Sequence, residues 1–400
     1  MKFKFYTAVA LMLAATQAFA QCGQRYKDMI FSNVDVTSDV VYSTSNSTTL
    51  KLDVYQPQGD NEAQRPLIVL AHGGSFIGGT KTDDNVVVQL ANNFAKRGYV
   101  VASIDYRLGN AIQMATDSSY AIDVVLKAIS DGKSAVRFFR KDAATTNTYR
   151  INPNFILAGG NSAGSVLYAH AMYIDSLGEV PANLQTTLNN NGGLEGNSGN
   201  DGYSSQIQGL FDLAGGLNVP EFIGPGQGPS VNFQGDQDAT VPYMCNYAVS
   251  QAVHVRLCGL GAMEPLLTNY GINHVSVVFP GDQHCPWQND ANKFTKVDTT
   301  SANFFYNIIC TTGVGINEVE GDAGLSIYPS PAQSQLTVNM LNYALYKEVQ
   351  LVDETGKLLA AKNVEGQVMS FERGQLAAGI YFVRLVKNNG STVTRKAIFE

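Results

Sequence analysis

The sequence predicts an α/β architecture with a mostly parallel central sheet, followed by a small all-β sandwich at the C-terminus. From about Leu50 to Phe279, short β-rich runs alternate with helical stretches, the pattern of a sheet covered by helices on both faces. Most of these runs are continuously apolar, as strands buried on both sides should be. After Cys310 the helical stretches stop, and short β-rich runs separated by turn residues take over.

Length and composition agree with two or more folded units. The chain has 400 residues, against a usual domain of about 150 residues. With 44% hydrophobic residues, 15% charged residues and a net charge of −7, it reads as globular and mildly acidic. That balance, with no basic run to offset it, argues against a nucleic-acid backbone or an anionic membrane as partner.

The N-terminus, "MKFKFYTAVALMLAATQAFAQC", has Lys2 and Lys4, then an apolar stretch, then Ala18-Phe19-Ala20. This is the layout of a secretory signal over residues 1–20, with the mature chain starting at Gln21. The apolar run falls short of the roughly 20 residues that span a membrane. Gln21, neither small nor apolar, argues against a lipoprotein. An exported chain meets conditions that permit disulfides. Its five cysteines leave at least one unpaired within the chain. The preferred pairs are Cys245 with Cys258 and Cys22 with Cys310. No C-x-x-C spacing points to a metal.

The expected strands are "LKLDVY", "LIVLA", "VVASIDY", "FILAG", "LFDLA", "SVNFQ" and "HVSVVF". "NVVVQLANNFAKRG", ending in Gly98, and "DGKSAVRFFRKDAA" are expected helices. Residues 189–205, polar and glycine-rich, are expected to form a mobile surface loop that could border a site. The expected domains are 21–312, a linker at 313–324, and a β-sandwich at 325–400 whose hairpin turns are "DETGK" and "KNNGS".

Chemistry concentrates at the ends of strands. Gly160-Asn161-Ser162-Ala163-Gly164 follows "NFILAG" and precedes a helical stretch. The strand-turn-helix context is what a nucleophile elbow needs, with small residues where strand and helix crowd together. "LAHGGSFIGGTK" follows the strand "LIVL". A glycine-rich loop there can aim backbone N–H groups at an oxyanion without side-chain obstruction. Gly74 and Ser75, with Gly73 in reserve, and Ala163 are the expected donors.

A serine needs a base. Of five histidines, only His284, in a loop directly after "HVSVVF", lies late in the domain at a strand's carboxyl end. The acid belongs between them in sequence, after its own strand. "VNFQGDQDATVPY" offers Asp236 and Asp238, and Asp238 is the choice because the Val-Pro that follows it resembles the Asp-x-x-Val-Pro arrangement of many α/β-hydrolases. Asp236 and Asp282 are expected to be loop hydrogen-bonders. Trp287 reads as a packed core residue, with a substrate platform as the alternative.

With these stretches in one order, residues from about 48 to 309 resemble the α/β-hydrolase superfamily, and more narrowly its hormone-sensitive-lipase-like and acetyl or feruloyl esterase-like carboxylesterases. "LDVYQP", "RGYVVASIDYRLG", "AVRFFRKDA" and "YRINPNFILAGGNSAG" add to the likeness. Ser75 replaces a glycine of the family's loop, and the segment from Arg107 to Asp131 is extended. The resemblance implies a Ser162-His284-Asp238 triad acting on carboxylic esters through an acyl-enzyme, with no metal or organic cofactor. The type-B carboxylesterases, which typically use Glu as the acid, fit less well.

The tail resembles the C-terminal sorting domain of type IX secretion cargo, through "YPSPAQSQLTV", "LAAGIYFVRLV" and "TRKAIFE". That likeness implies the type IX machinery as a partner and a surface or extracellular address. The competing functions are a polyester depolymerase, a prolyl-oligopeptidase-like peptidase, for whose propeller the chain has no room, and an adhesin with a dead hydrolase fold.

Overall fold

The computed structural model describes residues 22–44, 47–311, 325–328, 332–340, 343–353, 357–388 and 392–400. The expected signal segment and the linker at 313–324 lie outside the described residues. The chain divides into two compact units, Met1–Cys310 and Thr311–Glu400.

In the first unit the strands are β1 (Val34–Ser43), β2 (Leu50–Pro57), β3 (Arg65–Ala71), β4 (Val100–Ile104), β5 (Ile151–Asn161), β6 (Gly209–Leu213), β7 (Ser230–Gly235), β8 (Cys245–Ala248), β9 (Val253–Cys258) and β10 (His274–Phe279). Eight of them form one sheet in the order β1-β2-β4-β3-β5-β6-β7-β10. The β1–β2 and β2–β4 pairs are antiparallel, and every pair from β4 to β10 is parallel. The helices are α1 (Asn85–Lys96), α2 (Ala111–Thr116), α3 (Ser118–Ala144), α4 (Ala163–Tyr173), α5 (Ala182–Asn190), α6 (Leu260–Asn269) and α7 (Ala291–Thr311).

Alternation along β3 shows why the runs are continuously apolar. Leu67, Val69 and Ala71 join one core with residues of α3, α4 and α6, while Ile68 and Leu70 join a second core with α1 and α7. Both faces are covered, so no position can be polar at low cost. The seven expected strands are all present. Strand β1 and the β8–β9 hairpin, whose strands have many exposed positions, come in addition to those seven.

Helix α3 begins at Ser118, well before the expected "DGKSAVRFFRKDAA", so the extended segment after Arg107 folds as α2 and the first half of α3. Residues 189–205 form a largely surface segment, as expected, in which Asn191, Ser198 and Ser205 are buried. Ser198 is buried, and its hydroxyl donates to Asp131, which also holds Arg107 in a bidentate pair. Arg137 binds the carbonyls of Glu195 and Gly199, and Ser134 binds the Ser198 carbonyl. The segment's polar groups satisfy the buried polar face of α3, which would otherwise be orphaned. None of its residues lines the site.

Cys22–Cys310 and Cys245–Cys258 are disulfides, as expected, and Cys285 is free and buried. Among the described residues, no helix is long and apolar enough to cross a membrane.

The second unit contains β11 (Leu325–Tyr328), β12 (Gln335–Met340), β13 (Tyr346–Asp353), β14 (Leu358–Asn363), β15 (Val368–Glu372), β16 (Gly379–Lys387) and β17 (Thr392–Phe399). They form sheets β11-β12-β15 and β14-β13-β16-β17, with one core that includes Leu336, Val349, Leu351, Val383 and Phe399. The β13–β14 and β16–β17 pairs are antiparallel, and residues 354–356 and 389–391 of the expected "DETGK" and "KNNGS" turns lie outside the described residues.

Candidate active site

Ser162 stands between β5 and α4 with φ 55° and ψ −117°, a conformation costing about 1–3 kcal/mol for a residue with a side chain. The turn is possible because of its neighbours. A Cβ on Gly160 or Gly164 would run into the Ala71 carbonyl at the end of β3. The Ser162 N–H donates to the Leu213 carbonyl at 2.7 Å, fixing the turn against β6.

His284 follows β10, and its Nε2 lies 2.7 Å from the Ser162 Oγ. Its Nδ1 lies 2.7 Å from Oδ2 of Asp238, which follows β7. A carboxylate can only accept, so this contact places the proton on Nδ1 and leaves Nε2 to accept from the serine hydroxyl. The Asp238 carboxylate is buried and also accepts from the Thr240 and Val241 N–H groups and from the Gln234 amide. The loops carrying Asp238 and His284 touch at Gly235, where a Cβ would strike the carbonyls of Asp282 and Gln283.

The other candidates have structural partners. Asp236 accepts from the Gly281 N–H, and Asp282 pairs with Lys293. His72 bonds the carbonyl of its own neighbour Gly73 and stacks on Tyr106 at 4.3 Å between ring centroids. His170 is enclosed between the Val166 carbonyl and the Asn218 N–H, and burial pushes its pKa down to about 4. His274 faces Glu264, and His254 lies against the ring of Tyr247.

In the glycine-rich loop, the Gly73 N–H is taken by the Asp84 carboxylate at 2.9 Å. The N–H groups of Gly74, Ser75 and Ala163 make no hydrogen bond among the described residues. Ser75 sits at φ 53°, and Ala163 opens helix α4, whose N-terminal dipole favours negative charge. The Gly73 N–H is therefore already taken, while Gly74 and Ser75 line the serine's cleft and Ser75 and Ala163 line the adjoining pocket.

Two residues that support the site, Asp84 and Asn161, have no role in it legible in the sequence. Asp84 caps α1 through the N–H groups of Val86 and Val87, and also accepts from Gly73 N–H and the Asn161 amide. Asn161 in turn accepts from the indole N–H of Trp287 at 3.1 Å. One chain of bonds thus joins the glycine-rich loop, the serine turn and the histidine loop. Asp84 was legible as a helix cap, but not its second task. Trp287 is 1% exposed and packs on Phe233 and Phe279, so it is core rather than a platform.

Beside the serine turn, Ser165 donates to Asp212, whose carboxyl burial pushes up to about 6. Among the described residues, no group of three or more His, Cys, Asp or Glu is placed to hold a metal ion.

Residues 52–219 match the BD-FAE family model, and residues 326–400 match the secretion system C-terminal sorting domain. The chain is an esterase of the α/β-hydrolase type with a C-terminal sorting domain. Such a tail indicates secretion or a cell-surface location. The esterase is similar in fold to esterase 2 of Thermogutta terrifontis. Its paraoxon-phosphorylated form is 21% identical, with a TM-score of 0.51, over 70% of this chain and 96% of that one. Its propionate-bound form is 22% identical with a TM-score of 0.50 over the same shares. Its apo form is 22% identical with a TM-score of 0.51, again over 70% and 96%. No curated protein matches the chain.

Proposed function

We propose that the esterase is a secreted serine carboxylesterase whose nucleophile is Ser162, with His284 as base and Asp238 holding the imidazole. The observation that carries this reading is the relay of two 2.7 Å contacts from Ser162 through His284 to Asp238. Ser162 attacks the ester carbonyl while His284 takes its proton, and the N–H groups of Gly74, Ser75 and Ala163 receive the oxyanion. The alcohol leaves with the proton from His284. Water, deprotonated by the same histidine, then releases the acid and restores the serine.

The substrates are short-chain acyl or polysaccharide-linked esters. The bound propionate of the Thermogutta structure supports a small acyl group. The expected signal at residues 1–20, together with the sorting domain, supports export through the periplasm by the type IX machinery.

Ser162→Ala is expected to abolish hydrolysis of p-nitrophenyl butyrate while leaving the circular dichroism spectrum unchanged. Retained turnover in the pure variant would overturn the assignment.

A further inference from the structure

Two hollows of opposite chemistry meet at Ser162. The first, a cleft of about 750 Å³, is lined by His284, by the amides of Asn85, Gln89 and Asn289, and by the carboxylates of Asp83 and Asp290. The second, of about 120 Å³, shares Ser75, Ser162 and Thr240 with the cleft. Its walls include Ile122 and Leu126 of α3, Leu184 and Leu188 of α5, and Val255 and Leu257 of β9. His284 lines the cleft and not the apolar pocket.

That asymmetry orients an ester. The leaving alkoxide takes its proton from His284, so the alcohol part must lie on the histidine's side, in the polar cleft. The carbonyl oxygen turns to the backbone donors, which leaves the acyl chain the apolar pocket. An apolar cavity of roughly 150 Å³ accepts benzene, with six carbons. In proportion, about 120 Å³ takes roughly five carbons beyond the carbonyl.

We propose that the esterase selects esters joining an aliphatic acyl group of four to six carbons to an uncharged polyhydroxy alcohol; this rests on the reading of Ser162 as nucleophile. The cleft's amides donate and accept, as hydroxyl groups require. Asp83 and Asp290 repel an alcohol carrying a carboxylate or phosphate, and the nearby Lys293 is itself paired with Asp282. Acetyl leaves the pocket unfilled, and each methylene that enters it raises kcat/KM about fourfold, the equivalent of about 0.8 kcal/mol.

The test compares kcat/KM for p-nitrophenyl acetate, butyrate, hexanoate and decanoate in wild type, Val125→Phe and Val255→Phe. Both valines line the pocket and are half-buried, so a larger ring can grow into the hollow. Wild type should prefer hexanoate to acetate by at least about tenfold, with decanoate lower again. In each variant the hexanoate-to-acetate ratio of kcat/KM should fall by at least about tenfold while the melting temperature holds. A second arm compares hexanoyl glucose, hexanoyl lactate and hexyl hexanoate, with the glucose ester expected to be at least about tenfold better than either. A wild-type optimum at acetate, variants that slow every chain length equally, or a preference for hexyl hexanoate would overturn the proposal. Those results, with Ser162→Ala inactive on every ester, would leave the nucleophile standing. Activity in Ser162→Ala would remove the reading beneath it.

Discussion

Asp84→Ala should separate the positioning of the oxyanion loop from simple helix capping. One oxygen caps α1 through Val86 and Val87, and the other holds the Gly73 N–H at 2.9 Å and the Asn161 amide at 3.0 Å. Loss of the cap costs about 1 kcal/mol. Each charge-assisted hydrogen bond adds about 1.5 kcal/mol at the low end, which suits a half-buried group. Urea unfolding should therefore show a loss of about 3–4 kcal/mol. For activity, the released segment carries two of the three proposed donors. Misaligning one donor completely costs about 10²–10³ in kcat, so a loosened loop should cost about 10–100-fold, with KM moving less than about threefold. Asp84→Asn keeps an oxygen acceptor for Gly73 and should recover most of kcat. The assay is steady-state hydrolysis of p-nitrophenyl butyrate beside urea denaturation. An alanine variant that loses the stability but keeps kcat within about twofold would refute the positioning role.

Two further perturbations test the fold. Burial raises Asp212 from 3.8 to about 6 and lowers His170 from 6.5 to about 4. The folded state binds the extra proton at Asp212, so that contribution is complete below about pH 4 and lost as pH rises through about 6. The His170 contribution is complete above about pH 6.5 and lost as pH falls through about 4. Each is worth about 3 kcal/mol and they oppose one another. Asp212→Asn should thus expose the His170 term, so that stability falls by about 3 kcal/mol more than in wild type between pH 6.5 and 4; parallel curves would contradict this. Cys22–Cys310 spans 288 residues and Cys245–Cys258 spans 13. Chain entropy gives them about 6 and about 3 kcal/mol respectively. Cys310→Ser should therefore lower the urea midpoint more than Cys258→Ser, and the reverse order would contradict that ranking.

What was legible in the sequence follows from how local each constraint is. The Ser162 turn could be read because its glycines answer a steric demand within five residues, and β3 because both of its faces are buried. The antiparallel edge strand β1 could not, since Asp39 at φ 57° interrupts its alternation and most of its side chains are exposed. The contacts that residues 189–205 make with Asp131, Ser134 and Arg137 were not legible, because those partners lie on a helix distant in sequence. Asp84 and Asn161 serve parts of the chain 77 residues apart, a link that no local pattern carries. The apolar pocket escaped for the same reason, being assembled from α3, α5 and β9.

The most direct measurement of the central claim is covalent labelling by paraoxon, an organophosphate that requires an activated serine. Intact-protein mass spectrometry should show one diethylphosphoryl group per chain, and peptide mapping should put it on Ser162. Labelling should vanish in Ser162→Ala and slow by orders of magnitude in His284→Ala. A label on another residue, or none in an active preparation, would contradict the assignment of Ser162 as the nucleophile.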